Sequence, residues 1–229
     1  MTETSQGNET AGARFRSLVL DFDGVVLESV DIKTDAFREL FSGYPGQVDA
    51  IVAYHLAHNG ISRFLKFEHI YRHFLSLPYE EREKADVSER FSAIVFRRLL
   101  ECPFVPGALE LLERCASRVP VYVASASPEE ELNRIVEARG LSRYFVEAFG
   151  HPTRKSDVIR LVLQRHGLRP EEVLYVGDSQ EDFRAASAEG VFFVGRRNRE
   201  PLDTLGVPVF SDLTGVAAWL AHEGGLEGA

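Results

Sequence analysis

Ser17-Leu18-Val19-Leu20-Asp21-Phe22-Asp23-Gly24-Val25-Val26 passes within ten residues from an apolar run into two carboxylates and a glycine. A short apolar run of this kind suits a strand buried on both faces of a parallel sheet. Asp21 and Asp23 then fall at its carboxyl end, where open α/β sheets build their sites. If the strand continues through both acids, its alternation points them to the same side. A carboxylate can attack phosphorus while a second acid protonates the leaving oxygen and then activates water. The same Asp-x-Asp-Gly pattern also ends a strand in a turn without any chemistry.

Similar apolar runs occur at 119–124 (VPVYVA), 173–177 (VLYVG) and 191–195 (VFFVG). Helical patterns at 107–117, 128–139, 156–166 and 180–189 alternate with them, as crossovers in a parallel sheet require. The fold class is therefore α/β. Between about residues 31 and 103 the alternation stops: TDAFRELF, SRFLKFEHIYRHFL and VSERFSAIVFRRLL have helical periodicity and no strand accompanies them. The expected organisation is a disordered leader at 1–14, a core at 15–30 and 103–229, and a helical cap at 31–102. Phe64, Phe67, Tyr71 and Phe74 recur at near-helical spacing and are expected to pack the cap.

Three further segments carry chemistry. Gly177-Asp178-Ser179-Gln180-Glu181-Asp182 follows an apolar run and leads into a helix, so its acids should share a sheet edge with Asp21 and offer oxygen ligands to a hard cation such as Mg²⁺. Ser179 and Asp182 equally suit a capping box. Ala124-Ser125-Ala126-Ser127 lies at a strand-to-helix junction, where hydroxyl and backbone N–H groups can hold phosphate oxygens. Ser127, with Pro128 and Glu130, reads as a capping box, which leaves Ser125 as the candidate ligand. Lys155 stands at the start of a helix, where a cation is poorly matched to the macrodipole and better placed beside carboxylates and a phosphate. Arg154 competes with it.

Taken in order, these four segments resemble the four signature motifs of the haloacid dehalogenase superfamily, and the branch they are most similar to is that of phosphoglycolate phosphatase and β-phosphoglucomutase. The resemblance implies a Rossmann-like core with a helical cap inserted after the first motif. It implies Asp21 as a nucleophile that becomes phosphorylated and Asp23 as general acid/base. Ser125, Ala126, Gly24 and Lys155 would bind the phosphate. Asp21, Asp178, Asp182 and the backbone carbonyl of Asp23 would make the Mg²⁺ site. An acid at position 23 favours phosphate ester chemistry over dehalogenation or phosphonate cleavage. Gly60-Ile61-Ser62-Arg63 resembles a cap loop of the mutase-like branch, with Arg63 able to bind a carboxylate or second phosphate. Lys66 reads as part of a solvated helix face, and Glu28, Lys33 and His58 are weaker candidates.

The implied activity is a Mg²⁺-dependent phosphatase acting on a small-molecule phosphate ester of the sugar phosphate or phosphoglycolate type. A sugar phosphomutase is the alternative, and a non-catalytic binding protein is a third. Composition fits a globular protein: in 229 residues, 45% are hydrophobic and 27% charged. A net charge of −9 opposes binding to nucleic acid and to anionic membrane surfaces. Two cysteines without metal-type spacing, and no long apolar run, lead to the expectation of a cytoplasmic protein, with monomer and homodimer left open.

Overall fold

The computed structural model describes residues 14–58 and 62–223. Six strands form one parallel sheet: β1 (Ser17–Leu20), β2 (Val121–Pro128), β3 (Glu147–His151), β4 (Val173–Gly177), β5 (Phe192–Arg196) and β6 (Val209–Phe210). Their order is β3-β2-β1-β4-β5-β6. The chain moves outward from β1 through β2 to β3, then returns to lay β4 on the other flank of β1, pairing Leu18 with both Val121 and Leu174. This reversal opens a crevice beyond the carboxyl ends of β1 and β4.

Sheet alternation sorts the core into two layers. Leu18, Leu20, Val123 and Val176 face one side, together with α5 (Ala108–Ala116) and α9 (Leu213–Glu223). Val19, Tyr122 and Tyr175 face the other, under α7 (Lys155–His166) and α8 (Gln180–Glu189). Residues of α6 (Glu129–Ala138) complete the first layer through Leu132 and Ile135.

Between residues 31 and 102 the regular elements among the described residues are helices. This interval holds α1 (Ile32–Leu40), α2 (Val48–Ala57), α3 (Arg63–His69), a π-turn at Ile70–Phe74 and α4 (Glu81–Glu101). Phe37 packs against Phe67 and Phe91 at ring separations of 5.5 and 5.0 Å, which gives the cap an apolar centre. Of the four aromatics expected there, Phe67 is fully buried while Phe64 is 52% exposed, so the stripe is only partly core.

Several boundaries differ from the sequence reading. β1 stops at Leu20 rather than Phe22, because the backbone turns at Phe22, whose carbonyl accepts from the N–H groups of Val25, Val26 and Leu27. β3 and β6 were not anticipated: β3 (EAFGH) carries acid, glycine and histidine instead of an apolar run, and β6 has two residues. Helix α2 was also missed. The leader expected at 1–14 lies outside the described residues except for Arg14, whose guanidinium sits over Phe15 and Phe192.

Candidate active site

Asp21 follows β1 immediately and is buried. Its Oδ1 accepts from the backbone N–H of Phe22 at 2.6 Å, and its Oδ2 accepts from Lys155 Nζ at 2.9 Å. Lys155 is the first residue of α7 and also donates to Asp182 at 2.6 Å. Burial opposes its charge, but Asp21 and Asp182 outweigh that and hold the ammonium above the usual lysine range. Arg154, the competing candidate, is exposed. A lysine in the first turn of a helix therefore serves two buried acids rather than the dipole.

Asp178 follows β4 and Asp182 lies in the first turn of α8. Carboxylate oxygens of Asp21, Asp178 and Asp182 all lie within 4.8 Å of one another. Burial and mutual repulsion push Asp178 up to about 6 and raise Asp21 well above its ordinary value. A single lysine does not balance three acids, and the all-oxygen donor set suits a hard divalent cation.

The three acids differ in freedom. Asp182 Oδ1 accepts from Lys155 and from Tyr175 at 2.9 Å; its Oδ2 accepts from the Ser179 hydroxyl at 2.6 Å and from the N–H groups of Ser179 and Asp178. Ser179 caps α8 as the sequence suggested. Among the described residues Asp178 accepts one bond, on Oδ2 from Asn198 at 2.7 Å. Gly24 makes room for that oxygen: at φ +76° a Cβ would stand 2.0 Å from Asp178 Oδ2. Both the left-handed backbone and the close approach require glycine.

Asp23 points elsewhere. It accepts from Ser29 at 2.6 Å, Ser127 at 3.0 Å and Lys33 at 3.5 Å. Burial works against its charge, but Lys33 and the two hydroxyls prevail and lower its pKa. The expected capping role of Ser127 is thus corrected: β2 runs on to Pro128, which takes the N-terminal position of α6, and the Ser127 hydroxyl turns to Asp23. Ser125 is buried and its hydroxyl accepts from the Ser127 N–H at 3.1 Å. Ala126 is exposed and lines, with Ser125 and Lys155, a recess of about 420 Å³.

The cap candidates fare differently. Arg63 makes a two-point pair with Glu131 of α6, at 2.7 and 3.2 Å, and Ser92 of α4 donates to the same carboxylate. The guanidinium therefore ties cap to core. Gly60 and Ile61 of its loop lie outside the described residues. Lys66 is not on a solvated face: it is 3% exposed and contacts His55. Glu28 pairs with Arg196, and His58 Nδ1 contacts the Tyr54 carbonyl.

Sequence reasoning overlooked Ser29, Tyr175 and Asn198. Asn198 had a usable signal, since it follows the end of β5 by two residues at the same sheet edge; Ser29 and Tyr175 had none.

Residues 15–190 match the family model of haloacid dehalogenase-like hydrolases, and the chain belongs to that family. Phosphoglycolate phosphatase of Rhodospirillum rubrum is 34% identical over 125 residues, 50% of this chain and 52% of that protein. The Escherichia coli K12 phosphoglycolate phosphatase is 31% identical over 102 residues, 41% of this chain and 38% of the relative. The matched stretches thus span about half or less of these relatives. Among solved structures, CbbY from Rhodobacter sphaeroides in complex with phosphate has a TM-score of 0.65 at 16% identity, covering 88% of this chain and 96% of that one. A protein assigned as a β-phosphoglucomutase from Thermotoga maritima has a TM-score of 0.73 at 18% identity, covering 91% and 100%. These last two share the fold. No helix among the described residues is long and apolar enough to cross a membrane.

Proposed function

We propose that the protein is a Mg²⁺-dependent phosphomonoesterase that works through a phosphorylated Asp21, on a small phosphorylated metabolite of the sugar phosphate or phosphoglycolate type. The observation that carries this reading is the buried Asp21, held 2.9 Å from Lys155 with Asp178 and Asp182 converging on it at the sheet's switch point. The similarity to phosphoglycolate phosphatases supports the same class of ester.

Asp21 and Asp178, with the Asp23 carbonyl, would hold Mg²⁺, and the ion would screen the charge of an incoming phosphate from the carboxylates. Asp182, whose oxygens are already occupied, orients Lys155 and the turn after β4 rather than ligating directly. Lys155 and Ser125 hold the transferring phosphoryl oxygens. A carboxylate oxygen of Asp21 forms the new bond to phosphorus as the ester P–O bond breaks, and protonated Asp23 gives its proton to the leaving oxygen. Asp23 then accepts a proton from the water that attacks phosphorus and frees Asp21. Lys33, Ser29 and Ser127 favour the ionised Asp23 that this second half requires.

The test is phosphate release from sugar phosphates, phosphoglycolate and nucleoside monophosphates, with and without Mg²⁺, against Asp21→Asn. Mg²⁺-dependent release that falls about 10³-fold or more in the variant is expected. Isomerisation of a hexose phosphate with slow release would instead identify a mutase. Silence across the panel, with no labelled phospho-enzyme, would leave a binding role.

A further inference from the structure

The cap contains a buried cation that the mechanism above does not use. Lys66 of α3 is 3% exposed, and among the described residues no carboxylate lies within 4.0 Å of its ammonium. Its polar contacts are His55 Nδ1 at 3.1 Å and the His55 carbonyl at 3.4 Å, and its ammonium stands 5.9 Å from the centre of the Phe37 ring. An ammonium has three donors, and these two contacts leave the third available. His55 is itself buried and stacked on Phe37 at 4.3 Å. Burial, then the charges of Lys66 and Lys33, hold its pKa down to about 4, so near neutrality it is an uncharged partner that accepts a proton bond without cancelling charge.

A buried ammonium without a counter-ion is costly, and cations in protein interiors are ordinarily paired. The other buried lysine, Lys155, has two carboxylates. Lys66 is also connected to Asp23 through α1. Phe37 is one turn along α1 from Lys33, whose ammonium reaches Asp23 at 3.5 Å and Ser127 at 3.3 Å, and Lys33 is near enough to depress both Lys66 and His55. Phe37, against which Lys66 stands, and Lys33, which reaches Asp23, are thus neighbours one turn apart on α1.

We propose that Lys66, supported by His55 and with Lys33 beside it, receives a second anionic group of the substrate, so that the preferred ester is short and carries a carboxylate or second phosphoryl group a few bonds from the reacting phosphate. Arg63 does not take this role, because Glu131 already neutralises it on two points. The inference rests on the phosphomonoesterase reading for its reaction, but the binding it asserts can be measured without turnover.

The experiment compares 2-phosphoglycolate, ethane-1,2-diol bisphosphate and ethyl phosphate, which has no second anion, on the wild type, Lys66→Met and Lys66→Gln. The wild type should prefer a doubly anionic ester in kcat/KM, and both variants should lose about 10–100-fold of that preference, mainly in KM. The rank of the carboxylate and bisphosphate esters identifies which anion fits. Calorimetric binding of the same three esters to Asp21→Asn, with and without Lys66→Met, gives the same comparison without catalysis. Absence of any preference in the wild type, or an equal loss on all three esters, overturns the proposal. No turnover combined with Lys66-dependent binding would overturn the phosphomonoesterase reading while retaining the anion site. Thermal melting of each variant separates loss of the site from loss of the fold.

Discussion

The core and the cap each bury a lysine, and the two are partnered in opposite ways. In the core, Lys155 is outnumbered by Asp21, Asp178 and Asp182, whose oxygens crowd within 4.8 Å. In the cap, the polar partners of Lys66 among the described residues are a neutral imidazole and a carbonyl. The surroundings of Lys155 are short of positive charge and those of Lys66 of negative charge. In the proposed reading, a metal ion would answer the first deficit and an anionic group of the substrate the second.

The contrast is sharpest in stability. Lys155→Met leaves Asp21 and Asp182 buried without their cation and should destabilise the fold by about 3–5 kcal/mol, read by denaturant unfolding. A loss under about 1 kcal/mol would mean that these acids are not charged together.

His55 supplies the next largest effect. Its folded pKa of about 4 lies below the unfolded value near 6.5, so the unfolded state takes up the proton first as pH falls. The stability it contributes is present above pH 6.5 and is lost between about 6.5 and 4, by up to about 3 kcal/mol. Other groups titrate in this window, so the measurement is the difference from His55→Gln, which should remove this part of the slope. Lys66 and Lys33, the cations facing His55, act in the same direction.

Asn198 tests the metal side. Asn198→Ala removes the donor that holds Asp178 Oδ2, and the Mg²⁺ concentration for half-maximal phosphate release should rise about tenfold. An unchanged Mg²⁺ requirement would show that Asp178 needs no orienting partner. The smallest effect is the cap counterpart of the first: Lys66→Met removes an unpaired buried charge and should leave stability unchanged or raise it by about 1 kcal/mol, measured as a shift in Tm.

Much of the core site was legible because its signals are local. Asp21 and Asp178 close apolar strands, and four such segments in order specify a site at one sheet edge. Ser179 and Asp182 were legible in a capping role, because a capping box is written in three residues of spacing. Ser127 misled for the same reason: its neighbours satisfy the capping pattern, but the strand continues past it and a carboxylate 104 positions away takes its hydroxyl. Lys66 misled because helical periodicity gives a polar residue to the solvent side, whereas here a second helix covers it.

The sequence by itself determined the alternation of strands and helices, the helical insertion after the first strand, and the acids and lysine that meet at the switch point, since each depends on hydrophobic period and position relative to a strand end. Only the tertiary structure decided which acid keeps a free oxygen, which arginine is neutralised across the cap boundary, and which lysine lies buried without a counter-ion. Those depend on pairing between residues tens to hundreds of positions apart, such as Arg63 with Glu131 and Lys155 with Asp21, and no local spacing encodes such distances.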